Sequence, residues 1–104
     1  MTYSKYHNKK TEVDGIVFDS KREAERYLEL KLLERAGAIQ DLILQPSFDL
    51  IVQGGKVIGK YYADFKYRVG QSVVIEDAKG EKTDVYKLKK KIVEAVHHIK
   101  IVEV

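Results

Sequence analysis

Hydrophobic and polar residues alternate along three long stretches of the chain, and each stretch predicts a β-strand. These stretches cover residues 39–53, 56–68 and 72–79. A tight turn centred on Gly70-Gln71 predicts that the last two stretches pair as an antiparallel hairpin. Pro46 predicts a bulge or an edge position within the first stretch. The pattern therefore indicates an antiparallel meander of three strands.

Two segments that flank the meander repeat apolar residues at helical spacing. The first begins at Ser20, which forms a capping box with Glu23. It runs to about Ala36, where Gly37 supplies a left-handed stop. The second helix is capped by Thr83 and is apolar on one face and basic on the other.

The two ends of the chain complete the predicted order of elements. Residues 11–18 alternate around Asp14-Gly15, which is a strong hairpin signal. Residues 99–104 read as a short final strand. The predicted fold class is α/β of the α+β type: a small N-terminal hairpin, a helix, the meander, a second helix and a final strand.

Composition indicates one globular domain. The chain has 104 residues, of which 44% are hydrophobic and 34% are charged, so it is too short for two cores. We expect a flexible basic arm at residues 1–10 and a single domain at residues 11–104. No segment approaches membrane-spanning length and no signal peptide opens the chain, which favours a cytoplasmic location without a membrane partner. The absence of cysteine excludes disulfides and thiolate zinc sites.

Two aspartates on the predicted hairpin suggest a metal site. If the turn centres on Gly70-Gln71, Asp64 lies directly opposite Asp77, with Cβ atoms roughly 5 Å apart. Two unit charges at this separation repel by ~3 kcal/mol at an effective dielectric near 20, and a divalent cation between them would reverse the sign. The two-residue period puts Lys79 on the same face, whereas Glu76 lies on the other.

Simpler explanations exist for each of these residues. A three-residue turn would place the two aspartates on opposite faces. A surface salt bridge with Lys79 is the structural alternative for the pair. Glu76 has the wrong strand parity for the site and is expected to be solvated or paired.

The segments that carry these residues resemble the PD-(D/E)XK nuclease superfamily. They are residues 18–23 (FDSKRE), 62–65 (YADF) and 76–80 (EDAKG). They look like the active-site segments of phage endonuclease I type junction-resolving enzymes, and the whole chain is similar to a small phage-encoded family within this superfamily. Ala63 stands where the superfamily often has proline, which affects the backbone rather than the chemistry.

The resemblance implies a restriction-endonuclease-like core and a set of site residues. Asp64 and Asp77 would bind a metal ion together with the backbone carbonyl of Ala78. Lys79 would be the catalytic lysine, and Glu23 would be the acid contributed by the first helix. Mg²⁺ is the implied cofactor, and Mn²⁺ is expected to substitute.

The acid on the first helix has two open alternatives. Glu23 satisfies the capping box with Ser20, and that role alone explains its position. Glu25 is the rival acid on the same helix.

The implied activity is Mg²⁺-dependent endonucleolytic hydrolysis of branched or Holliday-junction DNA, in phage recombination or replication and in the cytoplasm of a bacterial host. Cutting a junction requires two sites at a fixed separation, which predicts a homodimer. The net charge is +3, and Lys9, Lys10, Lys87 and Lys89 are the candidate contacts to the DNA backbone. The alternatives are a noncatalytic DNA-binding or assembly factor that retains the nuclease fold, and an enzyme that cuts structured RNA.

Overall fold

The computed structural model describes residues 9–78 and 82–104, and over these ranges the chain forms a mixed α+β fold of two helices and eight strands. The elements in chain order are β1 (Thr11–Val13), β2 (Ile16–Phe18), α1 (Lys21–Arg35), β3 (Gln40–Leu44), β4 (Ser47–Val52), β5 (Lys56–Tyr62), β6 (Phe65–Val69), β7 (Ser72–Asp77), α2 (Asp84–His97) and β8 (Ile101–Glu103). A short 3-10 turn, Gln53–Gly55, joins β4 to β5. The predicted α+β class and the order of N-terminal hairpin, helix, strands, helix and final strand are confirmed, but the predicted three-stranded meander is wrong, because five strands lie between the two helices.

Both helices begin at the predicted caps. The Ser20 hydroxyl accepts a hydrogen bond of 3.1 Å from the Glu23 backbone N–H at the start of α1. The Thr83 hydroxyl accepts one of 3.1 Å from the Tyr86 backbone N–H at the start of α2. Each bond satisfies a backbone donor that has no partner within its own helix. After α1, Gly37 takes the left-handed conformation at a φ of 82°.

Four strands form the central sheet in the order β3-β6-β7-β8. The first three strands are antiparallel, and β8 joins β7 in parallel after the chain has crossed over through α2. The turn between β6 and β7 pairs Val69 with Ser72, and the same register continues to Phe65 opposite Glu76. The hairpin register inferred from the Gly70-Gln71 turn is therefore confirmed.

The two other long strands are not continuous, and the prediction that each would be a single strand is wrong. The first breaks at Gln45-Pro46 and the second at Ala63-Asp64, so β4 and β5 form a separate two-stranded arm. Pro46 has a fixed φ and no N–H, and Gln45 has a φ of 51°. Backbone bonds still cross the break, from the Gln45 N–H to the Asp64 carbonyl and from the Ala63 N–H to the Pro46 carbonyl. The two paired stretches, β3–β4 and β5–β6, therefore bend together and remain hydrogen-bonded to each other.

Two apolar clusters pack against the strands. The cluster against α1 consists of Phe18, Ala24, Tyr27, Leu30, Ile39, Phe65 and Tyr67. The cluster against α2 consists of Leu50, Tyr61, Ala63, Ile75, Val93 and Ile101. Alternate residues of β6 and β7 face opposite clusters, so Glu76 points toward the α1 side and Asp77 toward the α2 side.

The predicted arm at residues 1–10 lies mostly outside the described residues, and only Lys9 and Lys10 are described there, both exposed. Neither helix in the described ranges is long and apolar enough to cross a membrane.

Candidate active site

Asp77 is the most deeply buried acid of the candidate site. It ends β7, and none of its surface is exposed to solvent. Its Oδ1 accepts a hydrogen bond of 3.0 Å from the Asp64 backbone N–H, and its Oδ2 accepts one from the Tyr61 hydroxyl. Its own carbonyl accepts a 2.9 Å bond from the Val104 N–H. These bonds fix the backbone and the carboxylate of Asp77 together.

Asp64 lies at the bend of the hairpin, one residue before β6. Its side chain is 8% exposed, and its Oδ2 accepts a 2.7 Å hydrogen bond from the Ala78 backbone N–H. Its backbone N–H donates to both the Glu76 carbonyl and the Asp77 carboxylate, each at 3.0 Å. The two aspartates therefore exchange bonds: each carboxylate accepts from the backbone of the strand that carries the other.

This exchange refines the predicted face-to-face arrangement. The sequence places Asp64 opposite Asp77 in a regular ladder, but the ladder ends at Phe65 and Glu76. At the bend, the Asp64 N–H reaches the Glu76 carbonyl, which is one residue out of the ladder register. The two acids are held close by the bonds that each carboxylate accepts from the backbone beside the other.

Glu23 and its rival Glu25 take different environments on α1. Glu23 is 5% exposed in the first turn, whereas Glu25 is exposed and lies 4.0 Å from Lys21. Glu25 also lines a groove of about 530 Å³ that runs between α1 and the Ala78 and Val104 backbone. The backbone half of the capping box at Glu23 is confirmed. Burial favours Glu23 over Glu25 as the acid nearer the interior.

Glu76 is paired, as expected from its strand parity. Its carboxylate accepts bonds of 2.8 and 2.7 Å from the Arg26 guanidinium and a further bond from the Tyr67 hydroxyl. The hydrogen bonds to Glu76 raise the pKa of Arg26 above its usual value. Burial, followed by the bond to Glu76, raises the pKa of Tyr67 to about 12. Glu76 therefore joins α1 to the sheet and faces away from the two aspartates.

A polar chain leads from Asp77 toward α2. The ring of Tyr61 lies 6.3 Å from that of Tyr86, and the Tyr86 hydroxyl donates a 3.0 Å bond to Glu103. Burial and then the Asp77 charge raise the pKa of Tyr86 above its usual value. Glu103 in turn lies 3.6 Å from Lys90 on α2. The buried acid is thus connected to the basic helix.

Two residues of this region, Tyr61 and Asp19, were not predicted from the sequence. Tyr61 donates to Asp77, and Asp19 lines a cavity of about 360 Å³ together with Gln45 and Asp64. Asp19 directly precedes the Ser20 cap, and its place in the FDSKRE segment was the signal that could have identified it. Nothing in the alternation of β5 indicated Tyr61, because its contact depends on the bend.

The predicted roles of the lysines in catalysis and DNA binding stay predictions. Lys79 lies outside the described residues. Lys9, Lys10, Lys87 and Lys89 are all exposed, and Lys89 lines a cavity of about 310 Å³ next to Tyr61 and Tyr86. Lys89 thus shares a cavity with Tyr61, which donates to Asp77, whereas Lys9, Lys10 and Lys87 line none of the three cavities described among residues 9–78 and 82–104.

The donor atoms at the bend suit a hard divalent cation. Two buried carboxylates next to each other repel, and a cation between them converts that repulsion into attraction. Mg²⁺ takes one or two protein carboxylates and fills its other positions with water or phosphate oxygens. Asp64 and Asp77 meet that need, with the Ala78 backbone beside them. Over residues 9–78 and 82–104, no group of three or more His, Cys, Asp or Glu side chains is arranged to hold a metal ion, so Glu23 does not complete a three-acid cluster.

The comparisons with known proteins identify a family without an assigned activity. Residues 3–102 match the family described as "Protein of unknown function (DUF1064)". Searches of curated proteins and of solved structures find no match. Because the match spans nearly the whole chain, the protein belongs to the family of unknown function DUF1064.

Proposed function

We propose that this protein is a metal-dependent endodeoxyribonuclease of the PD-(D/E)XK class. The observation that carries the proposal is the aspartate pair at the bend, where Asp64 and Asp77 are both buried and bond to each other's strands. The fold is consistent with a restriction-endonuclease-like core, because a helix, an antiparallel meander, a crossover helix and a parallel strand follow in that order.

Different residues of the site would contribute to different steps of phosphodiester hydrolysis. A bound Mg²⁺ would polarise the scissile phosphate and lower the pKa of a water molecule. Asp64 and Asp77 would hold it, with the Ala78 carbonyl as a further ligand. The Tyr61 hydroxyl orients the Asp77 carboxylate, as outer hydrogen bonds do at metal sites. Lys79 keeps the role of catalytic lysine, and Glu23 that of the helix acid, on the strength of the resemblance alone.

The proposed substrate is branched DNA, cut by a homodimer in phage recombination or replication within the bacterial cytoplasm. Exposed lysines at positions 9, 10, 87 and 89 supply the cationic surface that a phosphate backbone requires. Mn²⁺ is expected to replace Mg²⁺, because both accept carboxylate and water oxygens.

Cleavage of a labelled four-way junction and its matching linear duplex tests the proposal. The reactions contain Mg²⁺, Mn²⁺ or chelator, and compare the wild type with Asp77→Asn. Asp41→Asn is the matched control, because Asp41 is an acid of the same sheet whose side chain is 65% exposed and pairs only with Arg68 among the described residues. We expect metal-dependent cutting of the junction by the wild type and by Asp41→Asn, and none by Asp77→Asn.

The other outcomes are equally informative. Equal cutting of junction and duplex would indicate a less selective endonuclease. Intact DNA binding without cutting would support the noncatalytic alternative. Cutting that persists in Asp77→Asn would exclude the proposed site.

A further inference from the structure

One aromatic residue, Tyr62, separates two cavities of opposite character. The first cavity, of about 360 Å³, is lined by Asp19, Gln45, Ala63 and Asp64 as well as by Tyr62. The second, of about 310 Å³, is lined by Lys60, Tyr61, Thr83, Val85, Tyr86 and Lys89 as well as by Tyr62. The first cavity contains Asp64, a candidate metal ligand, and the second contains the ammonium groups of Lys60 and Lys89. A nucleic-acid strand that crosses Tyr62 would meet both.

Tyr62 contributes little to the core. Its side chain is 59% exposed, whereas its neighbour Tyr61 is 4% exposed and belongs to the α2 cluster. The residue directly opposite Tyr62 on β4 is Ser47, which is itself polar and exposed. An exposed ring beside a candidate catalytic acid is available to a ligand.

The chemistry of the two cavities selects the class of ligand. Lys60 and Tyr62 lie on the same face of β5, two residues apart. An ammonium group binds a phosphate, and an aromatic ring stacks against a base at about 1–3 kcal/mol per base in single-stranded complexes. In a duplex the bases stack on each other, so only an unpaired base offers its face to a side chain.

We infer that the Tyr62 ring stacks on the base of an unpaired nucleotide and so forms a binding subsite next to the scissile phosphate at Asp64 and Asp77. Lys60 and Lys89 hold the adjoining backbone phosphate. This inference rests on the proposed nuclease function for the identity of the neighbouring phosphate, and it narrows the substrate to branched DNA in which a nucleotide at the branch point can leave its base pair. The simpler alternative is that Tyr62 is only an exposed strand residue with high β-propensity.

Binding is measured without catalysis, in chelator, with a short single-stranded oligonucleotide that carries one 2-aminopurine and with its duplex as competitor. Tyr62→Phe keeps the ring and is expected to bind as the wild type does. Tyr62→Leu is expected to bind the single strand about tenfold more weakly and to lose the 2-aminopurine quenching. Ile58→Ala is the control on the same strand, since Ile58 is an apolar residue of β5 that is 56% exposed.

Salt dependence tests the cationic half of the subsite. Lys60→Gln and Lys89→Gln are each expected to lower the slope of log affinity against log salt by about one. Unchanged single-strand affinity in Tyr62→Leu, or an equal loss in Ile58→Ala, would overturn the subsite.

The nuclease proposal can fail separately. If no variant or wild-type protein cuts DNA with metal, yet Tyr62→Leu still loses single-strand binding, the subsite stands without the nuclease. If cutting depends on Asp77 while Tyr62→Leu binds normally, the nuclease stands without the subsite.

Discussion

Glu76 and Asp77 are neighbouring carboxylates on β7, and we expect neutralising each one to affect a different property of the protein. Both are almost fully buried, and they differ in what they contact. Glu76 receives two bonds from a guanidinium, whereas Asp77 accepts bonds from a backbone N–H and from the hydroxyls of Tyr61 and Tyr86. We therefore predict that Glu76→Gln weakens the fold and that Asp77→Asn removes cleavage with little effect on folding.

The contacts set the size of each effect. Removing one partner of a fully buried ion pair costs about 3–5 kcal/mol, because the other charge remains buried. The Arg26 side chain is 23% exposed, so water partly compensates it. We expect Glu76→Gln to lower the free energy of unfolding by about 2–3 kcal/mol. For a domain of this size the melting temperature would fall by about 10–20 °C.

The same reasoning gives a small effect at Asp77. An asparagine oxygen still accepts the Asp64 N–H, and the Tyr61 hydroxyl rotates to suit an amide. We expect Asp77→Asn to change the free energy of unfolding by about 1 kcal/mol or less.

Urea unfolding followed by far-ultraviolet circular dichroism measures both variants. A double-mutant cycle with Arg26→Gln isolates the ion pair, because Glu76→Gln should cost much less once Arg26 is already neutral. The reasoning would be refuted if Asp77→Asn destabilised the protein as much as Glu76→Gln, or if the cycle gave no coupling between Glu76 and Arg26.

Two further predictions follow from the tyrosines that bond to these acids. Tyr61→Phe removes the hydroxyl that orients Asp77, so it should raise the Mg²⁺ concentration needed for half-maximal cleavage by about tenfold and reduce the shift in melting temperature that Mg²⁺ produces; unchanged values for both would contradict the positioning role. The neutral Tyr67 stabilises the fold fully below its unfolded pKa of ~10, and this contribution is lost as pH rises through its folded pKa of about 12. Urea unfolding at a series of alkaline pH values should therefore show a steeper decline in the wild type than in Tyr67→Phe.

The residues that define turns and caps allowed much of the fold to be predicted. Ser20 and Thr83 act through local bonds that a sequence displays directly, and the Gly70-Gln71 turn fixes the register of the hairpin that follows. The sequence predicted only a bulge or an edge position at Pro46, where the strand breaks completely, and it predicted no break at Ala63-Asp64. Alternation of apolar residues continues through both positions, and only the pairing of the two strands reveals that they bend together.

The candidate site was predictable to the extent that it follows strand pairing. Asp64 and Asp77 come from the register, and the structure places them together. The Tyr61 hydroxyl bond and the cavity at Asp19 depend on how the arm turns after the bend, which no local pattern encodes. The contacts around Asp64 and Asp77 therefore follow from the tertiary structure and not from a local sequence pattern.

The bend at Gln45-Pro46 and Ala63-Asp64 separates the residues that hold the two aspartates from the two-stranded arm of β4 and β5. The bonds that position Asp64 come from β7, from Ala78 directly after it and from Gln45, whereas the two-stranded arm of β4 and β5 ends at the Gln53–Gly55 turn. Surface turns of this kind tolerate insertions and deletions better than paired strands do. Lengthening or shortening the arm at its tip would thus alter what the protein can touch while leaving the spacing of the two aspartates unchanged.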